Sequence, residues 1–272
     1  MDFRGRGKTK FAECYRAYVT SHTGLARKNN EDNFILNSVC KRLEYKNVNF
    51  SRVLNSPLLA AVFDGMGGES LGDYAALISA KTAKGMYHRL AQSPETAVDE
   101  LAAEFTRRAN NAIRAFLEEH NCETGGSTAA AVVIKNEIAT PFSLGDSRVY
   151  LLRGGKLTQL SKDHTVAAKR LEANFYTREE AEKSPDSHKL TAFLGADTAQ
   201  NGILPQMYEP VMLQRTDKLL LCSDGLYDEL SKKTMETILR NHPCNPAAEL
   251  TRAALNRGGS DNITCAVIER EI

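Results

Sequence analysis

Short apolar runs that stop at turn-forming residues are the main pattern along the chain. Residues 58–63 (Leu-Leu-Ala-Ala-Val-Phe) and residues 218–222 (Lys-Leu-Leu-Leu-Cys) both end at or just before an Asp-Gly pair. Such runs are typical of buried strands. By the same reasoning we predict further strands at residues 15–20, 33–36, 127–134, 138–144, 149–152 and 263–269.

Longer segments with a helical period separate these runs. Residues 71–90 are rich in alanine, and an apolar stripe from Val98 to Leu117 predicts a second helix. Because Ser93-Pro94 pairs a capping serine with a proline suited to the first turn, we predict that this helix begins there. Shorter helices are predicted near residues 231–241 and 246–256, and a charged helical excursion at residues 162–185.

Strands therefore come in runs and helices come in runs, which favours an α+β fold of mainly antiparallel sheets with helices on their outer faces. We see no internal repeat and no linker that would separate domains. We expect a mobile tail at residues 1–12 and a single domain at residues 13–272. The polar stretch at residues 41–56 gives no clear prediction.

The charge balance limits the classes of partner. Lys plus Arg number 35 and Asp plus Glu number 34, so a net charge of +1 provides no general field for nucleic acid or an acidic membrane. The six cysteines form no C-x-x-C pair, and we expect them to be reduced. No signal peptide and no apolar run of about 18 residues is visible. We expect a cytoplasmic protein that binds neither nucleic acid nor membrane.

Acidic residues cluster where the predicted strands begin or end. Asp64, Asp146 and Asp224 each follow a strand and adjoin a glycine, and Asp261 precedes the last strand. If these ends meet, the carboxylates repel one another unless cations compensate them, and carboxylate oxygens favour Mg²⁺ or Mn²⁺ over zinc. Each Asp-Gly pair taken alone is more often just a turn.

The ordered combination is more specific than any single motif. The motifs are Gly24-Leu-Ala-Arg27-x-x-x-Glu31-Asp32, Phe63-Asp64-Gly65-Met66-Gly67-Gly68, Gly126-Ser127-Thr128-Ala129, Gly145-Asp146-Ser147-Arg148, Ser223-Asp224-Gly225-Leu226 and Ser260-Asp261-Asn262. Their order and spacing resemble the metal-dependent protein phosphatase family (PPM, type 2C) in its compact bacterial form. The resemblance extends from about residue 18 to residue 269.

The resemblance implies a four-layer αββα sandwich, in which helix pairs flank two mainly antiparallel sheets. It also implies hydrolysis of phosphoserine and phosphothreonine in proteins, which would reverse signalling by a Ser/Thr kinase. We expect a monomer that acts on phosphorylated proteins and has a cognate kinase. The implied cofactors are two Mn²⁺ or Mg²⁺ ions, with a third ion bound more weakly.

Metal-site roles follow from the motif match. Asp64 would bridge both ions, and the Gly65 carbonyl would bind one of them. Asp224 and Asp261 would hold one ion directly. The remaining implied positions are Glu31 for the other ion through water, Asp32 in support of Glu31, and Asp146 and Asp228 at or near the third ion.

The implied mechanism needs no covalent intermediate. Two ions about 4 Å apart lower the pKa of a shared water, and the resulting hydroxide attacks phosphorus. Arg27 would grip the phosphate oxygens, since a guanidinium can bond two at once. Met66 stands where animal members often carry a histidine, so a metal-bound water is our expected general acid. Residues 162–196 correspond to a flap beside the active site, which we expect to shape substrate choice.

Three alternatives stay open from the sequence. A pseudophosphatase would have a broken metal aspartate, whereas Asp64, Asp146, Asp224 and Asp261 are all present. A regulatory phosphatase dedicated to one partner would share the same core. An enzyme acting on small phosphate esters would use the same two-ion chemistry.

Overall fold

A computed structural model describes residues 13–67, 71–197, 203–241 and 244–271. The expected mobile tail at residues 1–12 and the motif residue Gly68 lie outside the described residues. The described part contains two large antiparallel sheets and seven helices.

The first sheet has six strands. Their spatial order is β11 (Lys156–Gln159), β10 (Arg148–Arg153), β14 (Lys218–Cys222), β15 (Ile263–Arg270), β1 (Cys14–His22) and β4 (Val48–Asn55). Every neighbouring pair is antiparallel. Strand β4 fills half of the polar stretch at residues 41–56 and forms one edge of this sheet. Val48, Phe50 and Leu54 of this strand pack partly buried on the core between the sheets, whereas its other five residues are exposed.

The second sheet has seven strands. The order is β12 (Gln206–Met207), β9 (Ile138–Leu144), β8 (Ala129–Lys135), β5 (Leu58–Phe63), β2 (Asn33–Leu36) and β3 (Val39–Cys40), while β13 (Val211–Met212) also pairs with β9. A short separate ladder joins β6 (Gly65–Met66) to β7 (Gly126–Ser127).

Helices cover the outer faces of both sheets. Helices α1 (Leu71–Gln92) and α2 (Val98–Glu119) pack on the seven-stranded sheet, and α5 (Asp224–Tyr227), α6 (Lys232–Asn241) and α7 (Pro246–Leu255) pack on the six-stranded sheet. A third apolar core lies between the two sheets. The predicted four-layer α+β sandwich is thereby confirmed.

The predicted start of the second helix at Ser93-Pro94 is wrong. The Ser93 amide donates to the Arg89 carbonyl at 2.9 Å and so closes the end of α1, and the Thr96 amide donates to the Ser93 carbonyl at 3.1 Å in a turn. Helix α2 begins at Val98, after an N-cap at Ala97 that makes no side-chain capping bond. The capping signal therefore marks an interhelical turn.

The predicted strand at residues 127–134 is interrupted at Thr128. The Thr128 hydroxyl accepts a hydrogen bond from the Asp64 amide at 3.0 Å and contacts the Ser147 hydroxyl at 2.7 Å. The Thr128 amide donates to the Asp64 carbonyl at 2.8 Å. Local side-chain bonding of this kind competes with the strand ladder. The break consequently ties Asp64 to the turn that carries Asp146.

The excursion at residues 162–185 is helical only in two short pieces, α3 (Val166–Glu172) and α4 (Arg178–Lys183). Both begin at a threonine N-cap whose hydroxyl accepts a backbone hydrogen bond. Each helix buries one side chain only, Ala167 in α3 and Ala181 in α4. The low apolar content of this segment therefore corresponds to an element that lies on the surface.

Candidate active site

The sheet topology brings the predicted acidic residues to one end of the sandwich. Asp64 follows β5, Asp224 opens α5 just after β14, and Asp261 comes shortly before β15. The register places Phe63 opposite Asn33 and Cys222 opposite Cys265, so the end of β5 meets the start of β2 and the end of β14 meets the start of β15.

Two adjoining cavities open at this end. One, of about 460 Å³, is lined by Arg27, Glu31 and Asp261, and the other, of about 390 Å³, is lined by Asp146 and His188. Both are also lined by Asp64, Met66, Gly67 and Asp224. Asp64 and Asp224 therefore lie at the junction, with predicted site residues on either side of them.

Asp32 and Asp228 occupy different places from the lining residues. Asp32 is 2% exposed, and one of its carboxylate oxygens accepts a 2.7 Å hydrogen bond from the Ser223 hydroxyl. It lies beneath the site, next to the residue that precedes Asp224. The Asp228 side chain is 40% exposed and lies beside His188. The structure thus groups all eight predicted metal-site residues at one end of the sandwich. Asp32 is buried beneath the cavities, and Asp228 lies beside them.

The carboxyl groups carry the electrostatic signs of a crowded acidic site. Burial and then the charges of Asp224, Asp32 and Asp146 raise the pKa of Asp64 well above its ordinary value. Burial, with the charge of Asp224 in addition, raises the pKa of Asp146 to about 7. Burial also raises the pKa of Asp32 to about 7, against the opposing hydrogen bond from Ser223. Such carboxylates gain a compensating charge when cations bind.

Asp224 differs from its neighbours. Burial acts to raise its pKa, but the nearby His188 imidazole and the Asp64 carboxyl outweigh burial, and the pKa is lowered. The Asp224 carboxylate, 3.8 Å from Nδ1 of His188, is correspondingly the main cause that raises the pKa of His188, to about 9. His188 is a part of the site that sequence reasoning missed, and no motif in the sequence points to it.

Gly65 is required by a close approach of three chain segments. A Cβ atom at this position would lie 2.0 Å from the Gly72 carbonyl oxygen and 2.6 Å from the Glu31 carbonyl oxygen. No side chain fits there, so the segment after β5 runs directly against the first turn of α1 and the Glu31 loop. Gly65 also lines the larger cavity.

Asn262 fixes the loop that carries Arg27 and Glu31. Its side-chain amide donates to the carbonyls of Thr23 and Asn29, each at 2.8 Å, and its side-chain oxygen accepts from the Glu31 amide at 2.7 Å. Asn262 belongs to the Ser260-Asp261-Asn262 motif, from which no role was predicted for it. An asparagine side chain carries two N–H donors and one acceptor oxygen, which suit it to hold a loop in place. This residue type, next to Asp261, is the feature of the sequence that could have predicted the role.

We expect Asn262→Ala to destabilise the fold by about 3 kcal/mol, because three largely buried hydrogen bonds are lost together. Urea unfolding monitored by circular dichroism measures this change. Asn111→Ala, at an exposed position of α2, is the matched control and should stay within about 0.5 kcal/mol of the parent. Equal stabilities for the two variants would contradict the clamp.

Arg27 reaches the rim of the acidic cavity. Its guanidinium bonds the Asp261 carboxylate at 2.7 Å, and its side chain is 59% exposed. Arg27 also lines this cavity, where a guanidinium can meet an anionic group.

Comparison with known proteins decides the family. The family model described as Protein phosphatase 2C matches residues 47–258. The chain belongs to the protein phosphatase 2C family. The serine/threonine protein phosphatase PstP of Mycobacterium tuberculosis is 32% identical over 264 residues, which cover 93% of this chain and 45% of PstP. The chain thus spans less than half the length of PstP. Protein phosphatase PhpP of Streptococcus pneumoniae is 29% identical over 92% of this chain and 95% of PhpP.

Solved structures of this family share the fold. The M. tuberculosis PstP crystal structure has a TM-score of 0.78 and 29% identity, and the alignment covers 95% of this chain and all of that one. The PstP catalytic domain in complex with two manganese ions has a TM-score of 0.76 and 28% identity, over 95% of this chain and all of that one.

These findings confirm the predicted family. They do not assign roles to individual side chains of this chain. Within the described ranges, we find no helix with the length and hydrophobicity that a membrane-spanning segment needs.

Proposed function

We propose that this protein removes phosphate from phosphoserine and phosphothreonine of protein substrates with the aid of two divalent cations. The observation that carries this proposal is the junction of the two cavities at Asp64 and Asp224, with Glu31, Asp146 and Asp261 around it. We further propose that residues 13–272 act as one catalytic domain.

The donor set fits Mn²⁺ or Mg²⁺. Carboxylate oxygens and the Gly65 carbonyl are hard ligands of the kind these ions prefer. Burial and neighbouring carboxylates raise the pKa values of Asp64 and Asp146, and a bound cation would favour their ionised forms. Asp64, Asp224, Asp261 and the Gly65 carbonyl would hold the ions, with Glu31 at the opposite wall. When bound, the ions supply Lewis acidity and lower the pKa of a shared water.

The chain's own residues do the positioning. Thr128 holds the backbone of Asp64 through its hydroxyl and its amide, so Asp64 has little freedom to move away from the junction. Ser223 orients Asp32 beneath the site. Met66 lines both cavities and has no transferable proton, so it contributes shape alone.

Arg27 is placed to orient the phosphate group. We expect Arg27→Ala to lower kcat/KM for a phosphothreonine peptide on the order of 10- to 100-fold, mainly through a higher KM, because a bidentate contact to the phosphate is lost. Arg42→Ala, which removes an exposed arginine paired with Glu44, is the control and should leave both constants unchanged. A parental KM for Arg27→Ala would contradict the assignment.

We propose that residues 162–196 form a flap that shapes substrate choice. Its ends are fixed to the core, since the His164 amide donates to the Gly145 carbonyl at 2.9 Å and Leu194 pairs with Ser127. The part between these ends, which carries α3 and α4, borders the cavity through His188, Leu190 and Phe193. A phosphoprotein substrate would contact this part.

Substrate class is tested by comparing phosphate release from phosphothreonine, phosphoserine and phosphotyrosine peptides with release from a small aryl phosphate, all with Mn²⁺. The proposal predicts that phosphothreonine and phosphoserine peptides give the highest kcat/KM. Faster hydrolysis of the small ester than of any peptide would favour an enzyme of small phosphate esters. We also propose a cytoplasmic location, a monomeric state and opposition to a Ser/Thr kinase.

A further inference from the structure

The segment at residues 41–47, between β3 and β4, packs on the loop that carries Arg27. The Lys46 carbonyl accepts a hydrogen bond from the Asn30 side-chain amide at 2.7 Å and another from the Thr23 hydroxyl at 3.3 Å. Both donors belong to the chain between β1 and β2, as Arg27 does. Part of the polar stretch for which the sequence suggests no role therefore lies beside the active site.

A buried lysine fixes the start of this segment. Lys41 is 3% exposed, and its ammonium group donates to the Asn30 carbonyl at 2.8 Å. Its backbone amide donates to the side-chain oxygen of Asn33 at 3.0 Å, and its carbonyl accepts from the Asn33 side-chain amide at 3.2 Å. The segment is thus held at both ends, and the side chains that it carries project from a fixed backbone.

Two lysines lie together on this side of the larger cavity. The Lys46 ammonium group donates to the Lys28 carbonyl at 3.0 Å, which brings the two residues into contact. Lys28 follows Arg27 directly, and both of these residues line the larger cavity. Lys28 and Lys46 are exposed, and we call the pair the lysine rim. The lysine rim therefore adjoins the arginine that is placed to orient the phosphate group.

The lysine rim carries positive charge that the described part of the protein does not neutralise. Within the described ranges, neither lysine of the rim forms an ion pair with a carboxylate, whereas Arg42 of the same segment pairs with Glu44 at 3.7 Å. A carboxylate of another molecule can pair with such exposed ammonium groups at a small desolvation cost, and the attraction is modest for each pair. The charge of the rim is consequently available to a partner.

We propose that the lysine rim binds acidic residues that flank the phosphorylated residue of a protein substrate, so that phosphoproteins with Asp or Glu beside the phosphosite are preferred. Opposite charges across an interface favour the matching partner and speed its association. An extended peptide rises about 3.3 Å per residue, so side chains within roughly three positions of the phosphosite can reach a lysine next to Arg27. This inference rests on the proposed function, since it names the substrate class of that same site.

Matched phosphothreonine peptides test this preference. Each peptide carries Glu, Gln or Lys at the second and third positions from the phosphothreonine, before it in one series and after it in the other. With Mn²⁺ and in at least one series, we expect kcat/KM for the Glu peptide to exceed that for the Lys peptide on the order of fivefold, with the Gln peptide between them. Raising NaCl from about 0.05 M to about 0.5 M should remove most of this preference, because salt screens exposed charges.

Charge reversal of the lysine rim provides the decisive variant. The double substitution Lys28→Glu/Lys46→Glu should invert the order, so that the Lys peptide gives a higher kcat/KM than the Glu peptide. The double substitution Lys232→Glu/Lys233→Glu changes the net charge equally at exposed positions of α6, and it should keep the parental order. Each protein is judged by the ratio of two peptides, so a general loss of activity does not imitate the expected inversion.

Binding separates failure of this inference from failure of the proposed function. Asp64→Asn, which we expect to be inactive, is titrated with fluorescent forms of the same peptides and followed by anisotropy. A parent that hydrolyses the Glu and Lys peptides with equal kcat/KM, or a preference that survives reversal of the lysine rim or high salt, would overturn this inference alone. Tighter binding of the Glu peptide by Asp64→Asn, with no phosphate release by the parent, would refute the proposed function.

Discussion

Asp64→Asn is expected to abolish phosphatase activity and at the same time to raise the melting temperature of the metal-free protein. Asp64 lies at the junction of both cavities, and its carboxylate is crowded by Asp224, Asp32 and Asp146. An amide loses the charge that holds cations, so we expect kcat to fall on the order of 10³-fold, equivalent to about 4 kcal/mol of transition-state stabilisation.

The same substitution relieves repulsion when no metal is present. Because the pKa of Asp64 is raised, its ionised form destabilises the folded state at neutral pH, and the neutral amide removes that cost. We expect the melting temperature of the metal-free protein to rise by roughly 5 °C. Asp197→Asn, at an exposed position, is the control for both measurements. A variant that is inactive and also less stable without metal would indicate damage to the fold.

The metal-free protein is expected to lose stability as pH rises from 5 to 7. The pKa values of Asp32 and Asp146 are about 7 in the folded state, against 3.8 for an ordinary aspartate side chain. Between these two pKa values the folded protein therefore binds more protons than the unfolded chain. The free energy of unfolding consequently falls as pH rises from the unfolded pKa to the folded pKa. Both groups are almost fully buried, so the combined loss is on the order of 4 kcal/mol.

Chemical unfolding in EDTA at several pH values measures this slope. Asp146→Asn removes one of the two titrating groups and should roughly halve the slope. Saturating Mn²⁺ should largely remove it, because ions bind the ionised carboxylates of the folded state only. A stability in EDTA that rises over the same range would show that the acidic cluster does not strain the fold.

The buried parts of the fold were accessible from sequence because burial leaves a pattern. Strands β2, β5, β9 and β14 begin and end at the predicted residues, since continuous apolar runs between turn formers fix their limits. Exposed elements leave no such pattern. Strand β4 lies at a sheet edge with five of its eight residues exposed, and it was not predicted. The misplaced start of α2 shows that a capping signal also suits a turn.

The residues of the site likewise divide into those that the sequence predicts and those that it does not. The aspartates that line the cavities were found because each adjoins a strand end, where chain order and the sheet together imply convergence. His188, Asn262 and Ser223 act across long sequence separations, as in the bond from Ser223 to Asp32. Their partners depend on three-dimensional packing that one sequence does not display.

The central claim is that the acidic junction binds divalent cations that make the protein a phosphatase. The most direct test is phosphate release from a phosphothreonine peptide, with Mn²⁺ or with EDTA, for the parent and for Asp224→Asn, after circular dichroism has shown that both are folded. The account predicts activity for the parent with Mn²⁺, none with EDTA, and none for Asp224→Asn under either condition. A folded parent that binds Mn²⁺ yet releases no phosphate would contradict it.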